Sequence, residues 1–219
     1  MHIPDGWMDP AVVIIGWVIS IAVLAVVMAR VNKRVDERSV PLMALLAAGI
    51  FVAQIINFPV GGGTSGHLIG ATLAVALVGL GPAMVVMTAI LIIQSLLFGD
   101  GGITALGLNI LNMAIIAPLV SYAIISVARG STWSVPLAAW ASVFIAALAC
   151  AAQLGASYVI SGGAYGLEPV VSLASMGGWH ALIGIGEAII TGGVIAYLAH
   201  VAPEMLHMSD RSAAKVTEA

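Results

Sequence analysis

The sequence predicts an all-α integral membrane protein of about seven transmembrane helices, with the N-terminus outside and the C-terminus cytoplasmic. Three observations carry that prediction. Of 219 residues, 61% are hydrophobic and 8% charged, where roughly a quarter are charged in a soluble domain; mean hydropathy is +1.13. Long apolar runs recur along the whole chain. When those runs are threaded back and forth, every Lys and Arg falls on one side. No repeat or linker divides the chain, so 1–219 reads as a single transmembrane domain ending in a polar cytoplasmic tail at 203–219.

The spans follow in order at approximately 11–29, 41–57, 68–80, 82–98, 105–128, 136–160 and 178–200. The third is short: at roughly 1.5 Å per residue it falls well below a ~30 Å hydrocarbon core. It either begins where a loop dips inward or runs on past Gly81-Pro82, a pair that separates two spans or kinks one. Two elements are preferred because the charges then sort. Arg30, Lys33, Arg34 and Arg38 lie between spans one and two, Arg129 between five and six, and Arg211 and Lys215 after seven, all on the inner side. The 161–176 loop is then external. The outer face is left with Asp5, Asp9, Asp100 and Glu168, together with His2, His67 and His180 near helix ends. Carboxylates and imidazoles without competing cations attract metal ions, although most such carboxylates act as solvated caps.

Several function classes are excluded. Cys150 is the single cysteine and lies in an apolar run, so it offers packing and no disulfide framework. Net charge is −3 with no basic cluster, which leaves nucleic-acid binding without an electrostatic basis. The N-terminus lacks the basic stretch of a signal peptide, so Met1 is expected to persist in the mature protein.

That expectation matters because Met1-His2 can chelate a divalent ion through the terminal amine, the His2 peptide nitrogen and the imidazole, closing fused rings around it. Pro4 and Asp5-Gly6 restrict the chain behind it, so 1–10 reads as a metal-binding N-terminal segment. Lying ahead of the first span, His2 is expected to contribute no buried contact to folding. His67, closing the run Gly61-Gly62-Gly63-Thr64-Ser65-Gly66, is the natural fourth nitrogen, though a histidine at a span end is also a common interfacial residue. The glycines are expected to let backbone pack against the N-terminal segment. The run lacks the Lys-Ser/Thr of a Walker A loop, so the chain binds no nucleotide and hydrolyses no ATP.

Other polar residues allow other readings. Gly63-Thr64-Ser65-Gly66 fits the GxSG pattern of rhomboid intramembrane proteases, with Ser65 as nucleophile and His180 as base; otherwise the Ser65 hydroxyl has no functional role. A self-sufficient permease would need ionisable groups along a path, and apart from Glu187 the spans offer almost none. That carboxylate, with Gln54, Gln94, Asn109, Asn112 and Gln153, is expected to be satisfied by structural hydrogen bonds, the two asparagines sharing a face under the outer loops. Ala25 and Ala29, and Ala44 and Ala48, make small faces suited to packing inside the fold or against a partner.

Four stretches in order resemble one family: Met1-His2-Ile3-Pro4-Asp5-Gly6; Gly63-Thr64-Ser65-Gly66-His67-Leu68; Gln94-Ser95-Leu96-Leu97-Phe98-Gly99-Asp100-Gly101-Gly102; and Leu106-Gly107-Leu108-Asn109-Ile110-Leu111-Asn112-Met113. They are similar to the CbiM/NikM family, the substrate-binding S components of cobalt and nickel energy-coupling-factor transporters. Trp7-Met8 stands where that family suggests Phe-Leu, a change that leaves the ligands untouched. The resemblance implies a seven-helix, multi-pass subunit of the cell (inner) membrane. It also implies Co2+ or Ni2+ as transported substrate, held by Met1, His2 and His67. Further implied are a coupling transmembrane subunit, cytoplasmic ATPases and, in cobalt systems, a small auxiliary membrane subunit. The opening resembles the cobalt branch, and nickel fits the same donors.

Overall fold

The computed structural model describes residues 1–32 and 39–207. Five of the seven cations behind the expected orientation, Lys33, Arg34, Arg38, Arg211 and Lys215, lie outside the described residues, as does most of the tail. Among the described residues seven main helices follow one another, with a short 3-10 turn Pro203–Met205 after the last: α1 Pro10–Val31, α2 Val40–Ile55, α3 Ala71–Val78, α4 Leu80–Phe98, α5 Leu106–Val127, α6 Ser134–Ile160 and α7 Pro169–Val201. Five of them, α1 and α4 to α7, are long and apolar enough to cross a bilayer. α2, with 16 residues, and α3, with 8, are shorter. The protein is an all-α membrane protein with one addition unseen in the sequence, a small antiparallel hairpin pairing β1 Phe58–Pro59 with β2 Ser65–Gly66.

Local chemistry sets the boundaries. Asp9 opens α1 by accepting the Ala11 N–H at 2.9 Å, with Pro10 in the first turn. Only Val12, Gly16 and Ser20 of α1 are buried, so most of its apolar surface faces outward, as on a helix solvated by lipid. The chain divides after α3 at Gly79 (φ 79°, ψ 175°), not at Gly81-Pro82, which lies in the first turn of α4. That backbone conformation is one only glycine adopts freely, and a side chain there would also meet the His207 ring. α7 begins at Pro169, nine residues before the expected 178, because the Glu168 carboxylate accepts the Val171 N–H at 2.8 Å. Half of the expected 161–176 loop is therefore helix, and His180 sits three turns inside α7 rather than opening it.

Two helices widen into π-type turns, Gln94–Phe98 at the end of α4 and Leu111–Ile116 within α5. Each turn rotates the following residues relative to a regular helix and re-aims their side chains. α1 and α5 touch backbone to backbone: a Cβ on Gly107 would lie 2.7 Å from both the Cα and the N of Trp17. Ala25, Ala29, Ala44 and Ala48 are exposed, so none of them mediates packing within the fold.

Gly107→Ala should force α1 and α5 apart and cost about 1–3 kcal/mol, read as a lowered melting temperature in detergent. Gly49→Ala on α2, where an added Cβ meets no atom within 4 Å, should leave the melt unchanged.

Candidate metal centre

A charged chain terminus is costly to bury, and here it is buried. Met1 and Ile3 are fully enclosed and His2 is 4% exposed. The segment runs inward from α1 with every early polar group engaged. The Met1 amine donates to the Ser65 carbonyl and, at 2.8 Å, to Ser65 Oγ, which also accepts the His2 N–H at 3.0 Å. Asn109 clasps the next peptide, its Oδ1 accepting the Ile3 N–H at 2.8 Å and its Nδ2 donating to the Ile3 carbonyl at 3.2 Å. Gly102 N–H donates to that same carbonyl at 2.8 Å. The Asp5 carboxylate accepts the N–H groups of Ile103 and Thr104, fastening the segment to the α4–α5 loop. His2 is therefore a buried packing residue, contrary to the sequence-based expectation, because the segment folds into the bundle instead of lying on it.

The His2 and His67 rings stack, with centroids 4.6 Å apart and planes 24° from parallel. Their protonation pattern follows from what surrounds them. Gln54 Nε2 donates to the Ile69 carbonyl at 2.6 Å, an acceptor that cannot be reversed, so Gln54 Oε1 faces Gln94 Nε2 at 2.8 Å. Gln94 Oε1 then faces His2 Nε2 at 3.0 Å, and that nitrogen must carry the proton. His67 Nδ1 donates to the Leu68 carbonyl at 2.7 Å by the same reasoning. Two lone pairs remain, His2 Nδ1 and His67 Nε2, both buried and without a hydrogen-bond partner. The peptide that anchors Gln54 is fixed in turn by Glu187, whose carboxylate accepts the N–H groups of Ile69 at 2.8 Å and Gly70 at 2.7 Å.

Burial also removes competing protons. It lowers the Met1 amine from 8.0 to about 5, opposed weakly by Cys150 and Asp100. It lowers His2 from 6.5 to about 3, helped by the nearby amine, and pushes His67 well below its usual value. At neutral pH the amine and both imidazoles are neutral donors. Among the described residues no three His, Cys, Asp or Glu side chains gather at metal-ligand spacing.

Other expectations divide. Glu187 is structural, as anticipated, and Cys150 packs beneath Met1, its Sγ 3.9 Å from the Met1 carbonyl. Asn112 does not share the work of Asn109: it pairs with Gln153 on α6 at 2.9 and 2.7 Å. Gly62 and Gly63 pack against Val171, Ser175 and Met176 of α7 and leave contact with the N-terminus to Ser65. Ser65 is no spectator, since its oxygen receives two N–H groups. His180 meets the Ser65 backbone and its Nδ1 donates to the Met176 carbonyl at 2.8 Å, while the Ser65 hydroxyl oxygen is taken by the Met1 amine and the His2 N–H, so among the described residues hydroxyl and imidazole are not paired as nucleophile and base. Asp5, Asp9 and Glu168 are caps. Asp100 is the exception, with Oδ1 3.3 Å from His2 Nδ1. The sequence signal for it was present, an acidic residue between glycines on the outer face, but nothing in the sequence showed which histidine it meets.

The fold and this pocket define a multi-pass membrane protein that encloses a set of neutral nitrogen donors around its own N-terminus. Residues 2–205 match the family model described as the cobalt uptake substrate-specific transmembrane region, CbiM, and the chain belongs to that family. It is 38% identical over 208 residues to a protein of Haloquadratum walsbyi that carries a metal-transport name, covering 94% of this chain and 93% of that one. It is 32% identical over 224 residues to the fused nickel transport protein NikMN of Rhodobacter capsulatus, covering 94% of this chain and 64% of that longer protein. A crystal structure of a transition metal transporter superposes with a TM-score of 0.87 at 39% identity, covering 92% of this chain and 93% of the other. The chain is thus a substrate-specific membrane component of cobalt/nickel uptake.

The lowered amine value makes seating of the N-terminus pH-dependent. A released amine titrates near 8.0 and the seated one near 5, so the released state binds more protons between those values. Seating is fully favoured above pH 8 and weakens by about 1.4 kcal/mol per unit as pH falls toward 5; His2 adds the same trend below 6.5. Hydrogen-exchange protection of the Ile3 amide, corrected for intrinsic rate, should therefore fall from pH 8 to 5, and a flat profile would contradict the burial described.

Proposed function

We propose that the chain is the substrate-capturing S component of an ATP-driven energy-coupling-factor transporter, with cobalt(II) as cargo. The ion is held by four nitrogens: the Met1 amine, the His2 peptide nitrogen, His2 Nδ1 and His67 Nε2. The observation that carries this reading is the pair of buried, partnerless imidazole lone pairs beside a deprotonated amine. Each ring has its other nitrogen committed to an oxygen acceptor, an arrangement that orients histidine ligands and fixes their tautomer. Binding through the His2 peptide nitrogen breaks its N–H bond and releases the proton to water as the nitrogen–metal bond forms. The ion arrives from the outer face, and 1–10 is the metal-binding segment of a single transmembrane domain with its N-terminus outside. Turning or opening this subunit toward the cytoplasm is the work of a coupling transmembrane subunit and cytoplasmic ATPases, with a small auxiliary membrane subunit in some assemblies. The exposed alanine faces of α1 and α2 are available for such docking.

Nickel(II) in the same role is the second reading. It is favoured by the nickel name of the Rhodobacter capsulatus relative and by nickel's preference for nitrogen sets that can lie in a plane. Uptake assays with the two ions in competition decide between them.

The chelate depends on a free amine one peptide from the imidazole, and Met1 is enclosed with no room for an extension. A residue added before Met1 should abolish high-affinity metal binding in purified protein, whereas a C-terminal tag beyond His207 should not. His2→Ala and His67→Ala should each weaken binding by at least a hundredfold, with His200→Ala neutral. Full metal occupancy in the N-terminally extended protein would refute the ligand set.

A further inference from the structure

We propose that Asp100 is the counter-charge of the bound cation and its first contact at the outer mouth of the pocket. The inference rests on the ligand set above but assigns a residue outside it. Asp100 Oδ1 lies 3.3 Å from His2 Nδ1. The glutamine chain leaves Nδ1 without a proton, so two acceptors face each other with no hydrogen between them. Such a contact is repulsive unless a positive charge joins it. A divalent ion on Nδ1 supplies that charge and places the carboxylate beside the metal.

Charge balance points the same way. A divalent ion bound by a neutral amine, two neutral imidazoles and one deprotonated peptide carries a net single positive charge. Inside an apolar bundle that charge is costly unless compensated nearby. Asp5, Asp9 and Glu168 are committed to backbone N–H groups, and Glu187 is bound to Ile69 and Gly70. Asp100 is the carboxylate facing a ligand. It is held in place, its N–H donating to the Gln94 carbonyl at 3.1 Å across the π-turn and its oxygens accepting from Asn57 Nδ2 at 3.1 and 3.3 Å. Gly101, at φ +87°, leaves no room for a side chain between Asn109 and the His2 ring, and so lets the loop close over His2. Access follows the same line, since the Asp100 side chain is 28% exposed and that of His2 is 3%. The carboxylate thus touches both solvent and the buried ligand.

The test uses the full chain with its native N-terminus in lipid nanodiscs, titrated with Ni2+ and followed by the metal's absorption band and by stopped-flow association. Removing one charge at this range, where the effective dielectric constant is about 20, should raise Kd about a hundredfold in Asp100→Asn. Its association rate should also lose most of the parent's decline between low and about 0.3 M salt. A parental Kd in Asp100→Asn overturns the proposal. So does weak binding with the parent's full salt dependence, which would mark a merely structural role. Should Asp100→Asn fail to remain monodisperse, the parent decides alone: an association rate indifferent to salt overturns the proposal, and a falling rate supports it. His2→Ala separates this inference from the ligand set. If it binds Ni2+ like the parent, the ligand set fails; if it loses the ion while Asp100→Asn keeps it, only the role of Asp100 fails.

Discussion

The structure depends on burying a free chain end in an apolar bundle. An amine and three consecutive peptides enter a region where an unmet N–H or carbonyl costs several kcal/mol. The polar residues in and around the helices are arranged to meet that demand. Ser65 takes the amine and the first N–H, Asn109 takes both sides of the Ile3 peptide, and Gly102 supplies one more donor. The hairpin and the α4–α5 loop are shaped around the same requirement. Buried Asn109 spends its side-chain amide on the segment and half-buried Ser65 its hydroxyl, so bundle and segment specify one another.

Much of this was legible in the sequence and some was not, for physical reasons. Hydropathy located seven segments because a bilayer rewards long apolar runs regardless of tertiary detail. It misplaced the break after α3, since Gly79 and Gly81 look alike in sequence and only the backbone conformation at Gly79 distinguishes them. It began α7 late because Pro169 and the small polar residues after it resemble a loop, while the Glu168 cap and a proline in the first turn are helix-opening chemistry. Met1, His2 and His67 could be nominated as candidate donors from their chemistry alone, and the structure brings them together. Their burial could not be read that way, because a segment ahead of the first span gives no periodic signal that it will turn back into the bundle.

One misreading concerns the polar residues of α5. Asn109 and Asn112, three residues apart, should share a helix face. Their tasks are nevertheless separate, because neighbouring elements reach them from different directions: the N-terminal segment meets Asn109 and Gln153 of α6 meets Asn112. At the end of α4 the π-turn brings Asp100 back over Gln94, so that one helix end presents the amide bound to His2 Nε2 and the carboxylate facing His2 Nδ1.

The glutamine chain has a further consequence. His2, Gln94, Gln54, the Ile69 peptide and Glu187 are linked donor to acceptor in a single direction, from the N-terminal segment on one side to the middle of α7 on the other. Because each amide uses its oxygen toward one neighbour and its nitrogen toward the next, no member can reverse without leaving two groups unpaired. Displacing His2 therefore strands Gln94 and, through Gln54, disturbs the peptide two residues beyond His67. The two histidines are not independent: the bonds that fix the tautomer of His2 also fix the chain that carries His67. A movement of α7 acting on Glu187 would therefore reach both histidines together.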